Sequence, residues 1–259
     1  MKRLEGKHAL ITGASQGLGR RLAIEYAREG AKGVSITARN VEALRETQEM
    51  IREVAPEARV VVIGADLSRQ EEIERVVATT LAEFGGRLDA LVNNASALGP
   101  TPMPYLLDYP LEDFRNVLSV NLIAPYLFIK KALPAMVECG GSIINVTSDA
   151  GRVGYPGWGA YGISKFGIEG MSQTWAAELE GTGVRVNWVD PGDLNTEMHR
   201  QAEPDEDPSQ WADPADVVEV FIYLASDESK DVSGQRFRAQ EENWGWAVEE
   251  SQAREVATV

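Results

Sequence analysis

The sequence predicts an α/β fold in which a parallel sheet of about seven strands is doubly wound, with helices on both faces. Two observations support this prediction. Short β-branched runs alternate with longer amphipathic stretches, as parallel strands alternate with crossover helices. Several runs are apolar without alternation, such as VVVI at residues 60–63, which is typical of strands covered on both faces.

The individual elements follow from this alternation. The predicted strands are 8–12, 33–38, 59–65, 90–93, 142–147, 185–189 and 235–239. The predicted helices are 17–29, 41–54, 70–84, 111–139, 160–180 and 214–225. The connections are short and contain no Ser/Gly-rich linker, so residues 1–240 are predicted to be a single domain. Residues 241–259 form an acidic C-terminal extension that carries Trp244 and Trp246.

The composition excludes several kinds of site. Lysines and arginines number 25 against 40 acidic residues, a net charge of −15 that makes nucleic acid a poor partner. Cys139 is the single cysteine, so an intrachain disulfide is impossible. The histidines, His8 and His199, are too few and too far apart for a recognisable zinc site, and we expect no metal.

Membrane and export signals are missing from the sequence. No apolar run approaches the roughly 20 residues that a membrane-spanning helix needs. The first apolar stretch ends at Gly13 and is too short for a signal peptide. We therefore expect a cytoplasmic protein without a membrane partner.

The first predicted strand ends in a glycine-rich turn that runs directly into a helix. Its glycines permit a tight turn and close approach of the backbone to a pyrophosphate at the helix N-terminus. The spacing is T-G-x-x-x-G-x-G, not the commoner G-x-G-x-x-G, and an ordinary strand-to-helix turn is the competing interpretation. The turn residues predicted to bind a dinucleotide are Gly13, Ser15, Gln16, Gly17, Leu18 and Gly19.

The end of the second predicted strand indicates which dinucleotide the protein binds. Sites for NAD in this architecture place an acidic residue here to bind the ribose 2′-hydroxyl. The sequence has Ala38 followed by Arg39, and an arginine suits the 2′-phosphate of NADP. We expect NADP(H) to be favoured over NAD(H), with a merely solvated Arg39 as the alternative.

A set of polar residues predicts hydride-transfer chemistry. Tyr161 and Lys165 share one helix face, where an ammonium lowers the pKa of a phenol that must donate a proton to an alkoxide. Surface residues often show this spacing. Ser148, however, ends a predicted strand at the sheet edge where open α/β folds bind ligands, beside the glycine turn and Asn93. The agreement of these features favours a catalytic site.

These motifs resemble those of the classical short-chain dehydrogenase/reductases, over about residues 5–240. The resemblance implies a Rossmann-type domain that binds a nicotinamide dinucleotide and oxidises or reduces a CH–OH/C=O pair. It implies that Tyr161 is the proton donor and acceptor, and that Lys165 binds the nicotinamide ribose and lowers the tyrosine pKa. It further implies that Ser148 bonds the substrate oxygen and Asn121 holds a relay water. The other implied cofactor contacts are Asp66, Leu67, Asn93, Ala95, Pro191, Gly192 and Thr196.

The resemblance also implies a homodimer or homotetramer, with the helices predicted at 111–139 and 160–180 in one interface. Three features depart from the family pattern. Ser96 replaces a usual glycine, and we expect cofactor binding to survive. The segment after Thr196 is shorter than in many relatives, which predicts a short lid and an open cleft. Trp244 and Trp246 follow in place of paired glycines, and either dock on a neighbouring subunit or pack on their own.

The substrate is predicted only as a class. With a net charge of −15 and an acidic lid at residues 203–207, docking of an acidic carrier protein would meet repulsion. We therefore expect a small uncharged ketone, aldehyde or alcohol. Reduction of 3-oxoacyl groups on a carrier or coenzyme A is one alternative, and a catalytically silent dinucleotide-binding sensor or scaffold is another. The residues placed to line a substrate cleft are Ala97, Leu98, Gly154, Tyr155, Trp158, Met198 and Trp211.

Overall fold

The computed structural model describes residues 2–245, so that Trp246 and most of the predicted extension lie outside the described residues. Seven parallel strands form one sheet in the order β3-β2-β1-β4-β5-β6-β7, which confirms the predicted architecture. The strands are β1 His8–Thr12, β2 Gly33–Ala38, β3 Arg59–Gly64, β4 Ala90–Asn93, β5 Gly141–Val146, β6 Val184–Asp190 and β7 Arg236–Arg238.

Helices cover both faces of the sheet. They are α1 Gly17–Arg28, α2 Val41–Val54, α3 Gln70–Glu83, α4 Leu111–Leu118, α5 Ala124–Cys139, α6 Gly159–Glu178, α7 Glu197–Ala202 and α8 Val218–Ala225. On one face, α1, α2 and α8 bury residues such as Leu22, Leu44 and Phe221. On the other, α3 and α5 bury residues such as Val76 and Phe128. The strands are therefore buried from both sides, as their unbroken apolar runs predict.

The helix predicted at 111–139 contains an interruption. A π-helical turn, Ser119–Ile123, separates α4 from α5, and such turns frequently mark functional sites. By length and composition, Leu111–Cys139 is the one stretch of residues 2–245 that is apolar enough to cross a membrane. Core helices of soluble proteins meet the same criteria, and Phe128, Ile129 and Met136 of this stretch are fully buried against the sheet.

The segment between β6 and α8 contains a helix that the sequence did not predict. α7 is only six residues long, and none of them is buried, so it leaves no apolar periodicity in the sequence. Its N-cap is Thr196, whose Oγ1 accepts a hydrogen bond from the His199 N–H at 3.3 Å. A bridge between Leu194 and Ala212 ties the two ends of the segment together. We call residues 194–212 the lid.

The described start of the C-terminal extension packs on its own chain. The Trp244 ring lies 5.1 Å from the Tyr223 ring and 6.4 Å from the Phe237 ring, measured between centroids. Trp244 is half-buried against the core formed with α8. Of the two alternatives for this tryptophan, packing on its own subunit is the one observed.

Candidate active site

A cleft of ≈ 850 Å³ opens at the carboxyl ends of the strands. It lies where the strand order reverses between β1 and β4, the position at which open α/β sheets bind ligands. The glycine turn forms one end of the cleft, and the ends of β5 and β6 with α6 form the other. We call these the cofactor end and the substrate end.

The glycine turn leaves an anion-binding position at the start of α1. Gly13 and Gly17 have φ values of +69° and +53°, which favour glycine. The first turn of α1 holds no acidic residue, and the N-cap Gln16 makes no side-chain cap, so N–H groups face the cleft. A Cβ atom on Gly17 would lie 3.3 Å from Cγ2 of Thr196. The turn and Thr196 therefore enclose a narrow space that fits the pyrophosphate of a dinucleotide.

Most predicted cofactor residues line the cleft, in two groups. Around the glycine turn and the ends of β2, β3 and β4 they are Gly13, Ser15, Gln16, Gly17, Leu18, Arg39, Asp66, Leu67 and Ala95. At the substrate end they are Tyr161, Lys165, Pro191, Gly192 and Thr196.

Two of the predicted cofactor residues do not line the cleft. Gly19 does not line the cleft; a Cβ atom there would collide with the main-chain oxygen of Gly13, so this glycine lets α1 pack on the turn. Asn93 is buried in the sheet and donates to Oδ1 of Asn145 at 2.8 Å. Its neighbour Asn94 lines the cleft instead and donates to the main-chain oxygen of Thr12 at 2.9 Å. The side-chain alternation along β4 is the signal that separates the two asparagines.

Arg39 is exposed at the edge of the cofactor end. Within residues 2–245 its guanidinium makes no hydrogen bond or ion pair. Hydrogen bonds from the N–H and hydroxyl of Ser68 lower the pKa of the nearby Asp66 carboxyl, and the charge of Arg39 lowers it further. Arg39 is thus a cation at the cleft to which no anion of residues 2–245 is bonded.

Tyr161 and Lys165 meet at the substrate end. Nζ of Lys165 donates to the main-chain oxygen of Val146 at 3.0 Å and lies 5.3 Å from the centre of the Tyr161 ring. Burial lowers the pKa of Lys165 to about 8, against an opposing effect of Asp190. Burial raises the pKa of Tyr161 well above its usual value, and the hydrogen bond with Ser148 lowers it in part. The hydrogen bond with Ser148 thus offsets part of the effect that burial has on the Tyr161 pKa.

Asn121 lies in the π-helical turn and is buried. Its Oδ1 accepts from the Ala97 N–H at 2.6 Å, while Nδ2 donates to the Ala97 oxygen at 2.9 Å and to Oγ of Ser164 at 3.0 Å. The side chain thus joins the β4–α4 connection to α6. Asn121 does not line the cleft, and its role in holding a relay water stays a prediction.

The predicted substrate residues divide into three groups. Ala97, Leu98, Trp158 and Met198 line the cleft, as does Ser96, whose backbone lies outside the left-handed region. Gly154 and Tyr155 line an adjoining groove of ≈ 270 Å³. Trp211 packs edge-on against His199 within the lid, with ring centroids 4.3 Å apart.

Sequence reasoning missed the acidic residues of the substrate end. Asp149 accepts hydrogen bonds from Oγ of Ser148 and from the Tyr155 hydroxyl, each at 2.8 Å. Asp190 and Glu169 are buried and both accept from Arg236. Arg236 is 67 residues from Glu169 and 46 from Asp190 along the chain, so no local motif reveals the contact.

Comparisons with known proteins agree with this geometry. The family described as short chain dehydrogenase matches residues 7–207. The chain is 36% identical to the 3-oxoacyl-[acyl-carrier-protein] reductase FabG of Thermotoga maritima, over 90% of this chain and 96% of that protein. It is 34% identical to a mitochondrial borneol dehydrogenase of Lavandula x intermedia, over 90% and 89%. A crystal structure of a Shigella flexneri short chain dehydrogenase complexed with NADP superposes with a TM-score of 0.86 at 32% identity, covering 93% of this chain and all of that one.

Proposed function

The chain belongs to the short-chain dehydrogenase/reductase family, whose members are NAD(P)-dependent oxidoreductases of CH–OH/C=O pairs, and from this we propose that it is an NADP(H)-dependent carbonyl reductase or alcohol dehydrogenase. Its substrate is a small uncharged ketone, aldehyde or alcohol. The observation that carries the proposal is the meeting of Tyr161, Ser148 and Lys165 in the cleft that begins at the glycine turn.

The residues divide the chemistry between them. When bound, the nicotinamide dinucleotide supplies the hydride for reduction or accepts it in oxidation. The Ser148 hydroxyl turns from Asp149 to donate a hydrogen bond to the substrate oxygen, which orients the carbonyl. Tyr161 donates its proton to that oxygen as negative charge develops there. The ammonium of Lys165 lies beside the Tyr161 ring and stabilises the phenolate that proton donation leaves.

The preference for NADP(H) rests on Arg39. A guanidinium that bonds to no anion within the described part of the chain is available to a 2′-phosphate, which NAD lacks. The Shigella flexneri relative complexed with NADP gives a second, independent support. Separate titrations of the protein with NADPH and NADH test the preference, and tighter binding of NADH would overturn it.

The preference for an uncharged substrate rests on the carboxylates of the cleft. Asp149, Asp193, Glu197 and Glu241 all line it, and the lid adds further acids. These charges oppose the approach of a negatively charged substrate to the substrate end. The 36% identity to a 3-oxoacyl reductase favours the second candidate, reduction of carrier-bound 3-oxoacyl chains. A silent sensor is disfavoured because Asn121, Ser148, Tyr161 and Lys165 are all present.

One matched set of substrates separates the two enzymatic candidates. The same 3-oxoacyl chain is offered as an uncharged N-acetylcysteamine thioester, as a coenzyme A thioester and on an acyl carrier protein, with NADPH consumption recorded. The proposal predicts the highest kcat/KM for the uncharged thioester. It also predicts that added salt narrows the difference in kcat/KM between the uncharged thioester and the other two substrates, because salt screens exposed charges. A carrier-bound chain reduced faster than both free thioesters would establish the second candidate instead.

Oligomerisation is part of the proposal. Ile123, Tyr126, Ile163 and Phe166 are large apolar side chains on α5, α6 and the π-helical turn, and all are exposed. Their burial between copies of the chain would give a homodimer or homotetramer. Light scattering after size-exclusion chromatography checks this, and a monomer at micromolar concentration would contradict it. Location in the cytoplasm stays a prediction.

A further inference from the structure

Four charged side chains are buried together at the substrate end. Lys165, Glu169, Asp190 and Arg236 are each at most 7% exposed, and we call them the buried charge cluster. Arg236 joins the two carboxylates: its Nε donates to Oε1 of Glu169 and its Nη2 to Oδ2 of Asp190, both at 2.9 Å. Glu169 also accepts from Oγ1 of Thr147 at 3.0 Å. Buried charges persist only when paired and hydrogen-bonded in this way.

The cluster bonds to two loops at the substrate end of the cleft. Nη2 of Arg236 also donates to the main-chain oxygen of Ser148 at 3.2 Å. Oδ1 of Asp190 accepts from the Gly192 N–H at 3.0 Å. One arginine–aspartate pair therefore fixes both the turn that presents Ser148 and the Pro191–Gly192 loop.

The charges of the cluster balance only when Lys165 is protonated. Arg236 neutralises one of the two carboxylates, which leaves a single negative charge for the Lys165 ammonium. In agreement, Asp190 raises the pKa of Lys165 against the lowering effect of burial. Asp190 also raises the pKa of Tyr161. Both members of the Tyr161–Lys165 pair thus respond to this carboxylate in the same direction.

The other charged groups at the substrate end come from different elements. Asp149, on the turn after β5, also raises the pKa of Tyr161. Glu169 lies on α6 one turn beyond Lys165, Asp190 ends β6 and Arg236 begins β7. Of these, Asp190 is the one that touches both Arg236 and the Gly192 loop while also acting on Lys165.

We propose that Arg236, Asp190 and Glu169 are positioning residues for hydride transfer: Arg236 fixes the Ser148 turn, and the two carboxylates supply the negative charge that keeps Lys165 protonated. The inference rests on the proposed roles of Tyr161 and Lys165. It requires the charge on the cluster, and not merely its packing, to control the reaction.

The sign of a pH shift distinguishes charge from packing. For reduction at saturating NADPH, kcat/KM falls at alkaline pH as the coupled Tyr161–Lys165 pair loses a proton. Asp190→Asn removes a negative charge and is expected to move the apparent pKa of this fall down by about one unit. Arg236→Gln removes a positive charge and is expected to move it up. The double variant restores the charge balance and returns it towards the wild-type value.

Conservative variants separate the two parts of the role. Arg236→Lys keeps the charge but not the planar fork, so it keeps the wild-type pH profile while kcat remains lowered. Glu169→Gln is expected to move the fall to lower pH, and it replaces Asp190→Asn if that variant yields little folded protein. Arg185→Met is the control: Arg185 is a half-buried arginine at the other end of β6, bonded to Leu224 and Ser229 far from the cleft. Its loss lowers stability without moving the profile.

Two results would overturn the inference. One is a lowered kcat with an unmoved profile in both Asp190→Asn and Glu169→Gln, which is what a purely structural role gives. The other is a shift of the same sign in Asp190→Asn and Arg236→Gln. Lys165→Arg tests the underlying function separately. If this variant has the same pH profile of kcat/KM as the wild-type protein, the proposed role of Lys165 itself is contradicted.

Discussion

At the cofactor end of the cleft a glycine turn opens an uncapped helix N-terminus, whereas the substrate end is held by buried charged side chains. The glycine turn positions N–H groups at the start of α1 without any side-chain cap. At the other end, Lys165, Glu169, Asp190 and Arg236 come from α6, β6 and β7 and are packed away from water. A backbone cradle suits an unvarying pyrophosphate, while charges adjust the pKa of groups that transfer protons.

This difference predicts that substitutions at the two ends have different consequences. Changes at the cofactor end should alter the affinity for NADPH and leave the pH dependence unchanged. Changes in the buried charge cluster or at Tyr161 should alter turnover and its pH dependence and leave NADPH affinity nearly unchanged, apart from changes of Lys165, which is also a predicted cofactor residue.

The largest effect is expected for Lys165→Met. It removes the cation beside Tyr161 and leaves the buried carboxylates with one arginine, so turnover should fall at least about 100-fold. The matched control is Lys130→Met, since Nζ of Lys130 lies 5.6 Å from the centre of the Tyr126 ring at an exposed position. Steady-state NADPH oxidation checks both. Equal losses in the two variants would contradict a special role for the buried pair.

A smaller effect is expected for Gly17→Ala, at the opposite end. The added Cβ would stand 3.3 Å from Thr196 in the pyrophosphate space, at a φ of +53°. NADPH affinity should fall about 10-fold, the factor for roughly 1.4 kcal/mol of steric cost. In Gly181→Ala the φ is +76° but nothing lies within 4 Å, so only stability should fall. Fluorescence titration with NADPH compares the two variants. Equal NADPH affinities of Gly17→Ala and Gly181→Ala would contradict the proposed role of the glycine turn in binding the pyrophosphate.

A selective effect is expected for Arg39→Gln. Loss of a charge-assisted hydrogen bond of about 1.5 kcal/mol should weaken NADPH roughly 10-fold. NADH affinity should stay the same, because NADH carries no 2′-phosphate. Arg45→Gln, an exposed position on α2 outside the cleft, serves as the control for net charge. Parallel weakening of both nucleotides would mean that Arg39 does not select between them.

The smallest functional effect is expected for Trp244→Ala. This half-buried ring packs on Tyr223 and Phe237 and does not line the cleft. Its loss should cost roughly 1 kcal/mol of unfolding free energy, less than for a fully buried ring, and leave kcat and NADPH affinity within about 2-fold. Urea unfolding measures the free energy of unfolding, steady-state NADPH oxidation measures kcat, and titration measures NADPH affinity. A kinetic change larger than that would show that the C-terminal extension influences the cleft.

The same contrast explains how much the sequence predicted. The glycine turn, Arg39 and the Tyr161–Lys165 spacing are local patterns, and each was placed at the cleft from a few neighbouring residues. The parallel sheet followed from unbroken apolar runs for the same reason. Asn93 is buried and bonds to Asn145 instead of lining the cleft, and the side-chain alternation along β4 is the local signal for this direction.

Features that depend on distant contacts could not be predicted. Arg236 meets Glu169 and Asp190 only once β7 pairs with β6, and each residue alone resembles an ordinary surface charge. The π-helical turn at Asn121 interrupts a continuous helical pattern in the sequence, and the bonds of Asn121 to Ala97 and Ser164 join segments that are distant along the chain. α7 is too short and too exposed to leave a periodic signal.

The most direct test of the account is Tyr161→Phe, studied for binding and turnover in one preparation. The hydroxyl is the proposed proton donor, and the ring packs 5.4 Å from Trp158 with or without it. The account predicts NADPH affinity within about 3-fold of wild type, with turnover on an accepted ketone lowered at least about 100-fold. Tyr161→Phe protein that binds NADPH normally and keeps wild-type turnover would contradict the account.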